Sequence, residues 1–548
     1  MNIAISQEDH FPQNKTLLFK ITALILLSVS VIFRIRSIFI RYFEADELEH
    51  LRGAFCVFNN WLPYKDFFEH HTPLLYYLLS PIFYIGDNLN IFFIGRLIML
   101  SFSIMIILLV FKVARGCFSS NIAWLSAIWL SYIFIFFEKT MEIRPDVPAL
   151  AFFLSGLFLL IRLSQNQIKL RGFSAGIFFS LAFLSTQKIV FPIIGIILFW
   201  TVKLIANYRT QNHRKRYIQI IFFLLLGLSV PFSLTLIYFS YRGGLSDFIY
   251  RNFLMNLQWK RQLPFSFFLK TLIYENPFFV FWFIWGWIAT GGQILIHRGK
   301  VKYALVWFPA SMGILSLFII PVVLPQTYAL QIPLFAILAG KGLFDFLEYL
   351  SKSEKSKRLF GNLLLFISGP GILWLTSVAF GYRPKLVWED TLIVIPIYIS
   401  FGALICLLLV FNKNKPLQMV SFSLLGLLVI SRPINFMLNH DWMDNRGQII
   451  EMETILRETN IQDRVFDTWP LGGILRLPSY YYHFLHHGIL QMMTPEEKVQ
   501  ELLLALKTNR PKIIVKGNNF SILAPDVRDY INIHYQARVE TPNLLIRK

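Results

Sequence analysis

The chain has 548 residues, 55% of them hydrophobic and only 15% charged, with a formal net charge of +20. Average soluble domains carry about 25% charged and about 45–50% apolar residues, so a soluble enzyme, a disordered chain and a disulfide scaffold are excluded. Runs that are apolar throughout also exclude an outer-membrane barrel, whose strands alternate.

The basic excess is the kind that cytoplasmic loops of membrane proteins collect, and no nucleic-acid partner is expected. Cys56, Cys117 and Cys406 are too few and too scattered for a disulfide framework or a zinc spacing. The first apolar run, Leu17 to Phe33, lacks a small-residue cleavage site and reads as a signal anchor with the N-terminus inside. A polar outer loop, 41–72, follows. Leu74 to Ile85 is apolar but too short to cross, and reads as an interfacial helix.

Later spans are expected at about 90–111, 121–137, a stretch ending at Arg162, then about 172–186, 189–206 and 217–240. Others follow at about 277–296, 303–323, 327–346, 360–380, 391–411 and 417–437. The basic loop Tyr208 to Tyr217 fixes the cytoplasmic side, and the remaining basic loops alternate with it. The expected fold is therefore an all-α polytopic membrane protein of about 13 transmembrane helices over residues 1–438, set in the cell membrane. The tail, 439–548, has no span and reads as a small α/β extracytoplasmic domain. Ile449, Ile450, Ile455 and Leu456 mark one amphipathic helix of it, and Val499, Leu502, Leu503 and Leu506 another. Strands are expected at Arg464–Phe466, Lys512–Val515 and Leu544–Ile546.

Charged groups in or beside a membrane are costly and thus functional candidates. Two acidic groups stand at the expected outer ends of spans: Asp46 with Glu47, and Glu138, Glu142 and Asp146. They either face one cavity or merely pair with Arg41, Arg52 and Arg144. Leu48, Leu51, Phe55 and Phe58 after them give a helical apolar stripe suited to lying on the membrane surface. The outer loop 241–276 is unusually basic for its side, with Arg242, Arg251, Lys260, Arg261 and Lys270, which suits either a phosphate or anionic headgroups. His70, His71 and the group His483, His486 and His487 could suggest a metal, but no accompanying acidic or cysteine pattern of ligand spacing supports it, so no cofactor is expected, with a divalent metal left open.

The order of these features resembles the GT-C superfamily of membrane glycosyltransferases. Within it the closest likeness is to the protein O-mannosyltransferase, aminoarabinose transferase and Rgt-like branch. The residues that carry it are Asp46-Glu47, Gly53-Ala54, the run Leu62 to Phe67 containing Tyr64, Thr72-Pro-Leu-Leu-Tyr-Tyr77, Arg144-Pro-Asp146, and Tyr328 with Pro333. The resemblance implies inverting transfer of a hexose or pentose from a polyprenyl-phosphate carrier to a hydroxyl of a glycan, lipid or protein on the extracytoplasmic face. It makes Asp46 the base, with Glu47 its neighbour and Asp146, Glu142 and Arg144 lining the same cavity. Where relatives carry a lysine before Pro-Pro-Leu this chain has His71, after His70, and where they often carry a basic residue before the tyrosine it has Gln326. Phosphate binding is then expected from Arg144 or from Arg251, Lys260 and Arg261. A surface-polysaccharide polymerase or ligase, or a lipid or sugar transporter, is the alternative.

Overall fold

The computed structural model describes residues 13–352 and 444–548, except 208, 260–268, 271, 274–275, 297–300, 322, 470–471 and 486. The three spans expected between 360 and 437, the boundary at 438/439, and Lys260 and Arg261 lie outside the described residues.

Helix α1 (Gln13–Ile40) is the first apolar run. It leads into α2 (Ala45–Phe58), an irregular stretch, and the short α3 (Leu74–Leu79). The bundle continues through α4 (Asn90–Cys117), α5 (Ser120–Tyr132), α6 (Phe134–Lys139), α7 (Asp146–Ile161), α8 (Ile168–Ser185), α9 (Val190–Ala206) and α10 (Gln211–Tyr241). After α11 (Leu245–Ile249) come α12 (Pro277–Ile296), α13 (Val301–Ile319), α14 (Pro325–Ala329) and α15 (Ile332–Lys352). Among the described residues, seven helices are long and apolar enough to cross a membrane.

Three expected spans differ in form. The one at 121–137 is broken where Ile133 turns extended, and its second piece, α6, delivers Glu138 and Lys139 to the site described below. The stretch ending at Arg162 is only 16 residues of helix, α7, and it starts on Asp146. α15 carries a lysine and an aspartate within its length, Lys341 paired with Asp345 one turn on. One close crossing is that of α8 against α10. A Cβ on Gly176 would stand 2.1 Å from the Leu224 carbonyl, and one on Gly227 2.0 Å from that of Phe173. Small residues let two backbones meet at this distance in lipid, where no hydrophobic force drives helices together.

The C-terminal domain is a five-stranded mixed sheet with helices. Its strands are β1 (Arg464–Asp467), β2 (Leu477–Pro478), β3 (Ile513–Val515), β4 (Tyr535–Ala537) and β5 (Leu544–Arg547), in the order β2-β1-β3-β5-β4. β1 pairs in parallel with β2 and β3, while β5 is antiparallel to β3 and β4. The helices α16 (Arg446–Glu458), α17 (His487–Met492), α18 (Leu502–Asn509) and α19 (Pro525–His534) complete it.

The domain is seated on the residues that follow α1. Gln448 exchanges two hydrogen bonds with the Phe43 backbone, and Arg476 grips Asp87 through two 2.7 Å bonds. Met452, Ile474 and Leu475 join the bundle's own hydrophobic core. α4, α7 and α8 each have one end near this domain or the loop beneath it. Lys112, Arg115, Arg162, Lys169 and Arg171 all sit toward the other ends.

Candidate functional site

The site grows from the first turn of α2. Glu44 caps the helix, and Glu47 returns a bond from its side chain to the Glu44 backbone N–H at 3.0 Å, the reciprocal pair of a capping box. Glu47 is fully buried. Its two oxygens take the Arg96 guanidinium side-on at 2.8 and 2.7 Å, and one also accepts from the Ile143 N–H. Arg96 in turn donates to the carbonyls of Ile38, Arg41 and Tyr42. Glu47 thus locks α1, α2, α4 and the loop before α7 together, and neither oxygen is left for a substrate.

Asp46, one residue earlier, points the other way. Its side chain remains 44% exposed while Oδ2 accepts from Arg144 at 2.6 Å. Crowding by protein would raise its pKa, but the Arg144 charge, aided by Lys139, outweighs that and holds the carboxyl well below the usual range. Asp46 is therefore an ionised carboxylate on an open surface, held by one side.

Arg144 is itself enclosed by Glu142 at 2.9 Å, Asp46 at 2.6 Å and Asp146 at 3.8 Å. Glu142 is fully buried and bonds three cations, Arg41, Lys139 and Arg144. Burial would push this carboxyl up, but Lys139, Arg41 and Arg144 pull it down to about 2. Glu138 shares Arg41 and Lys139. Both outcomes weighed from the sequence are thus present. The acidic groups converge on one place, and they pair with Arg41 and Arg144 there. Arg52 is paired elsewhere, with Asp467.

The apolar stripe on α2 does not lie on a membrane surface. Leu48, Leu51 and Phe55 are buried in the main core, and Glu49, His50 and Arg52 on the remaining faces are buried as well. The stripe is covered because the bundle and the C-terminal domain close on it from both sides. Gly53 allows this packing, since a Cβ there would stand 2.9 Å from the Tyr76 ring.

Beyond Asp46 lie Glu49, Glu69, His70 and His71, whose ligating atoms fall within 4.8 Å of one another. This is the group, among the described residues, that is able to hold a metal ion. Its two carboxylates come from 20 residues apart in the chain, a partnership the local sequence pattern did not show. Burial, with Glu69 and Asp46 as neighbours, drives the Glu49 carboxyl well above its ordinary value. Glu69 Oε1 accepts from the backbone N–H groups of His70 and His71 and meets His71 Nδ1 at 3.0 Å. Burial and the neighbouring His71 hold His50 neutral, with its pKa lowered to about 3.

The loop 64–71 is pinned on three sides. Tyr64 has a left-handed backbone, φ 72°, is 1% exposed, and donates from its hydroxyl to the His71 carbonyl. The His70 carbonyl accepts from Gln187, in the turn before α9, and from Asn256 in the 241–276 loop. Tyr481 of the C-terminal domain accepts from the Phe68 N–H and donates to the Tyr64 carbonyl. Arg251 lies over the rings of Phe68, Tyr250 and Tyr481 within 5.7 Å and is partly exposed. Tyr328 and Gln326 are buried in α14, which packs on α6 beside Glu138 and Lys139.

Arg96, Glu69, Gln187 and Asn256 were not singled out by sequence reasoning. Arg96 gave a signal: it is a charge inside an expected span, and such a charge requires a partner.

A family model described as dolichyl-phosphate-mannose-protein mannosyltransferase matches residues 70–234. The fold matches ArnT from Cupriavidus metallidurans, solved bound to undecaprenyl phosphate, with a TM-score of 0.60 at 13% identity over 98% of each chain. It also matches the archaeal oligosaccharyltransferase AglB from Archaeoglobus fulgidus, solved with an inhibitory peptide and a dolichol-phosphate. That TM-score is 0.52 at 11% identity, over 96% of this chain and 74% of that one. No curated protein matches the sequence. The chain thus has the fold of these two proteins, and its segment 70–234 is similar to the mannosyltransferase family, in line with the likeness that its motif order suggested.

Proposed function

We propose that this protein transfers a sugar from a polyprenyl-phosphate carrier to an acceptor hydroxyl on the extracytoplasmic face of the cell membrane, with inversion at the anomeric carbon. The observation that carries this reading is Asp46. It is ionised and 44% exposed, beside Arg144, at the bundle end that bears the C-terminal domain. The ligands with which ArnT and AglB were solved, undecaprenyl phosphate and dolichol-phosphate, support the carrier class.

The acceptor oxygen attacks the anomeric carbon as the carbon–phosphate oxygen bond breaks. Its proton passes to Asp46, and the electron pair leaves with the carrier phosphate. Arg144 orients Asp46 and keeps it charged. A carboxylate paired this closely is a weak base, so its contribution comes from position and from stabilising the proton as it departs. Because Arg144 is occupied by three carboxylates, Arg251 and His71 are the better placed partners for the phosphate, and the permanent charge of Arg251 stabilises the leaving charge. Glu142 and Asp146 act through Arg144, and Glu47 acts through Arg96, as positioning residues. The step needs no cofactor. Glu49, Glu69, His70 and His71 are where a divalent ion would bind if one is used.

The test is Asp46→Asn against Asp46→Glu in proteoliposomes supplied with a polyprenyl-phosphate sugar. General-base loss costs roughly a hundred- to ten-thousandfold, so the Asn form is expected to fall by about that much while the Glu form retains part of the activity. Wild-type turnover by Asp46→Asn would reject the assignment.

A further inference from the structure

The loop 41–72 is held by a part of the chain some 400 residues away. Arg52, in the middle of α2, is fully buried, and the hydrogen bonds of its guanidinium go to the C-terminal domain. Nη1 donates to Asp467 Oδ2 at 2.5 Å and to the His483 carbonyl at 3.2 Å, and Nη2 donates to the Val465 carbonyl at 2.9 Å. Asp467 is equally buried, at the end of β1. The adjoining run Tyr481–Phe484 covers the second arm of the loop. The Tyr481 carbonyl takes the Phe68 N–H at 2.8 Å, and its hydroxyl donates to the Tyr64 carbonyl at 2.5 Å. Rings of Tyr482 and Phe484 lie on Phe68, and that of His483 lies on Phe67. Two short stretches of the domain, 465–467 and 481–484, therefore grip both α2, which bears Asp46 and Glu49, and the loop 64–71, which bears Glu69, His70 and His71.

We propose that Asp467 and Tyr481 are positioning residues: the C-terminal domain acts as a clamp that sets the distance between the Asp46 helix and the His71 loop. The part of this that concerns transfer rests on the function proposed above. A charge buried at both ends makes a stiff tether, because neither partner can leave the other without losing its compensation. The two arms bear the groups assigned to the acceptor proton and to the carrier phosphate. Loosening their spacing separates base from leaving group without removing either. Misplacement by about 1 Å can cost on the order of a hundredfold in rate.

The experiment uses the full-length protein in lipid and compares wild type with Asp467→Asn, Asp467→Glu, Tyr481→Phe and Glu458→Gln. Glu458 pairs with Arg538 on the open surface of the same domain and serves as control. Two quantities are read: steady-state transfer per folded molecule, and amide hydrogen exchange along the chain. Asp467→Asn is expected to lower kcat by roughly tenfold or more, with donor KM changed less than threefold, and Asp467→Glu to recover part of the loss. Tyr481→Phe keeps the ring packing and is expected to show a smaller fall in kcat. Exchange should quicken in 45–58 and 64–71 but not in α7. Unchanged exchange in both segments for Asp467→Asn and Tyr481→Phe would overturn the clamp. Quickened exchange with unaltered kcat would reduce it to a structural contact and overturn the positioning role. If Asp46→Asn keeps full activity, the base assignment falls, and the exchange result still decides the clamp by itself.

Discussion

Asp46 and Glu47 are neighbours in sequence with opposite fates, and the difference is decided by which cation each meets. Glu47 receives Arg96 on both oxygens and disappears from solvent, whereas Asp46 meets Arg144 with one oxygen and stays open. Arg144 therefore sets the proton affinity of Asp46. Removing a neighbouring cation raises a carboxylate pKa, so Arg144→Gln is expected to move the acid limb of the kcat/KM pH profile upward, toward the ordinary aspartate range. An acid limb that stays in place would mean that another group controls it. The acidic residues at this site were legible from the sequence because charge beside a membrane demands an explanation. Arg41 and Arg144 were legible as partners, but Arg96 was not, and since the three approach from separate elements only tertiary contacts show which carboxylate each one takes.

At the scale of elements, α2 is the part that the sequence described least well. Its 3.6-residue apolar period was plain, but a period reports one buried face and is silent about the others. Here the polar faces are buried too, because Arg52, Glu49 and His50 find partners or neighbours within the protein. The closeness of α2 to α3 depends on Gly53, and a larger side chain must displace the Tyr76 ring. Overpacking of this kind costs about 1–3 kcal/mol. Gly53→Leu is thus expected to lower the thermal unfolding midpoint and the transfer rate together, and a variant with both unchanged would show that α2 has room the structure does not display. The break at Ile133 was invisible in an apolar run. It matters because it carries Glu138 and Lys139 around to Glu142.

For the whole molecule, composition and basic loops were enough to read the membrane class, and three of the five strands of the C-terminal sheet fell within a residue of their expected places, while β2 and β4 were not foreseen. β1, β3 and β5 were legible because each is a short buried apolar run between polar turns. The seating of that domain on the first loop was not, since Arg52–Asp467 and Arg476–Asp87 are pairings across nearly the full length of the chain. The proposed orientation places the domain outside the cell. Cysteine introduced at Val539, which is almost fully exposed, should then react with a membrane-impermeant thiol reagent in intact cells, and cysteine at Lys169 should react only after lysis. The reverse pattern would invert the topology and with it the side on which Asp46 works.

The Arg52–Asp467 pair spans 415 residues of chain. Ribosomes add about 5–20 residues each second, so Arg52 emerges roughly 20–80 s before its counterion exists. Throughout that interval the nascent first loop holds an arginine destined for burial with nothing to neutralise it. The loop can therefore reach its final form only after Asp467 has been made, which ties the shape of the first outer segment to synthesis of the C-terminal domain.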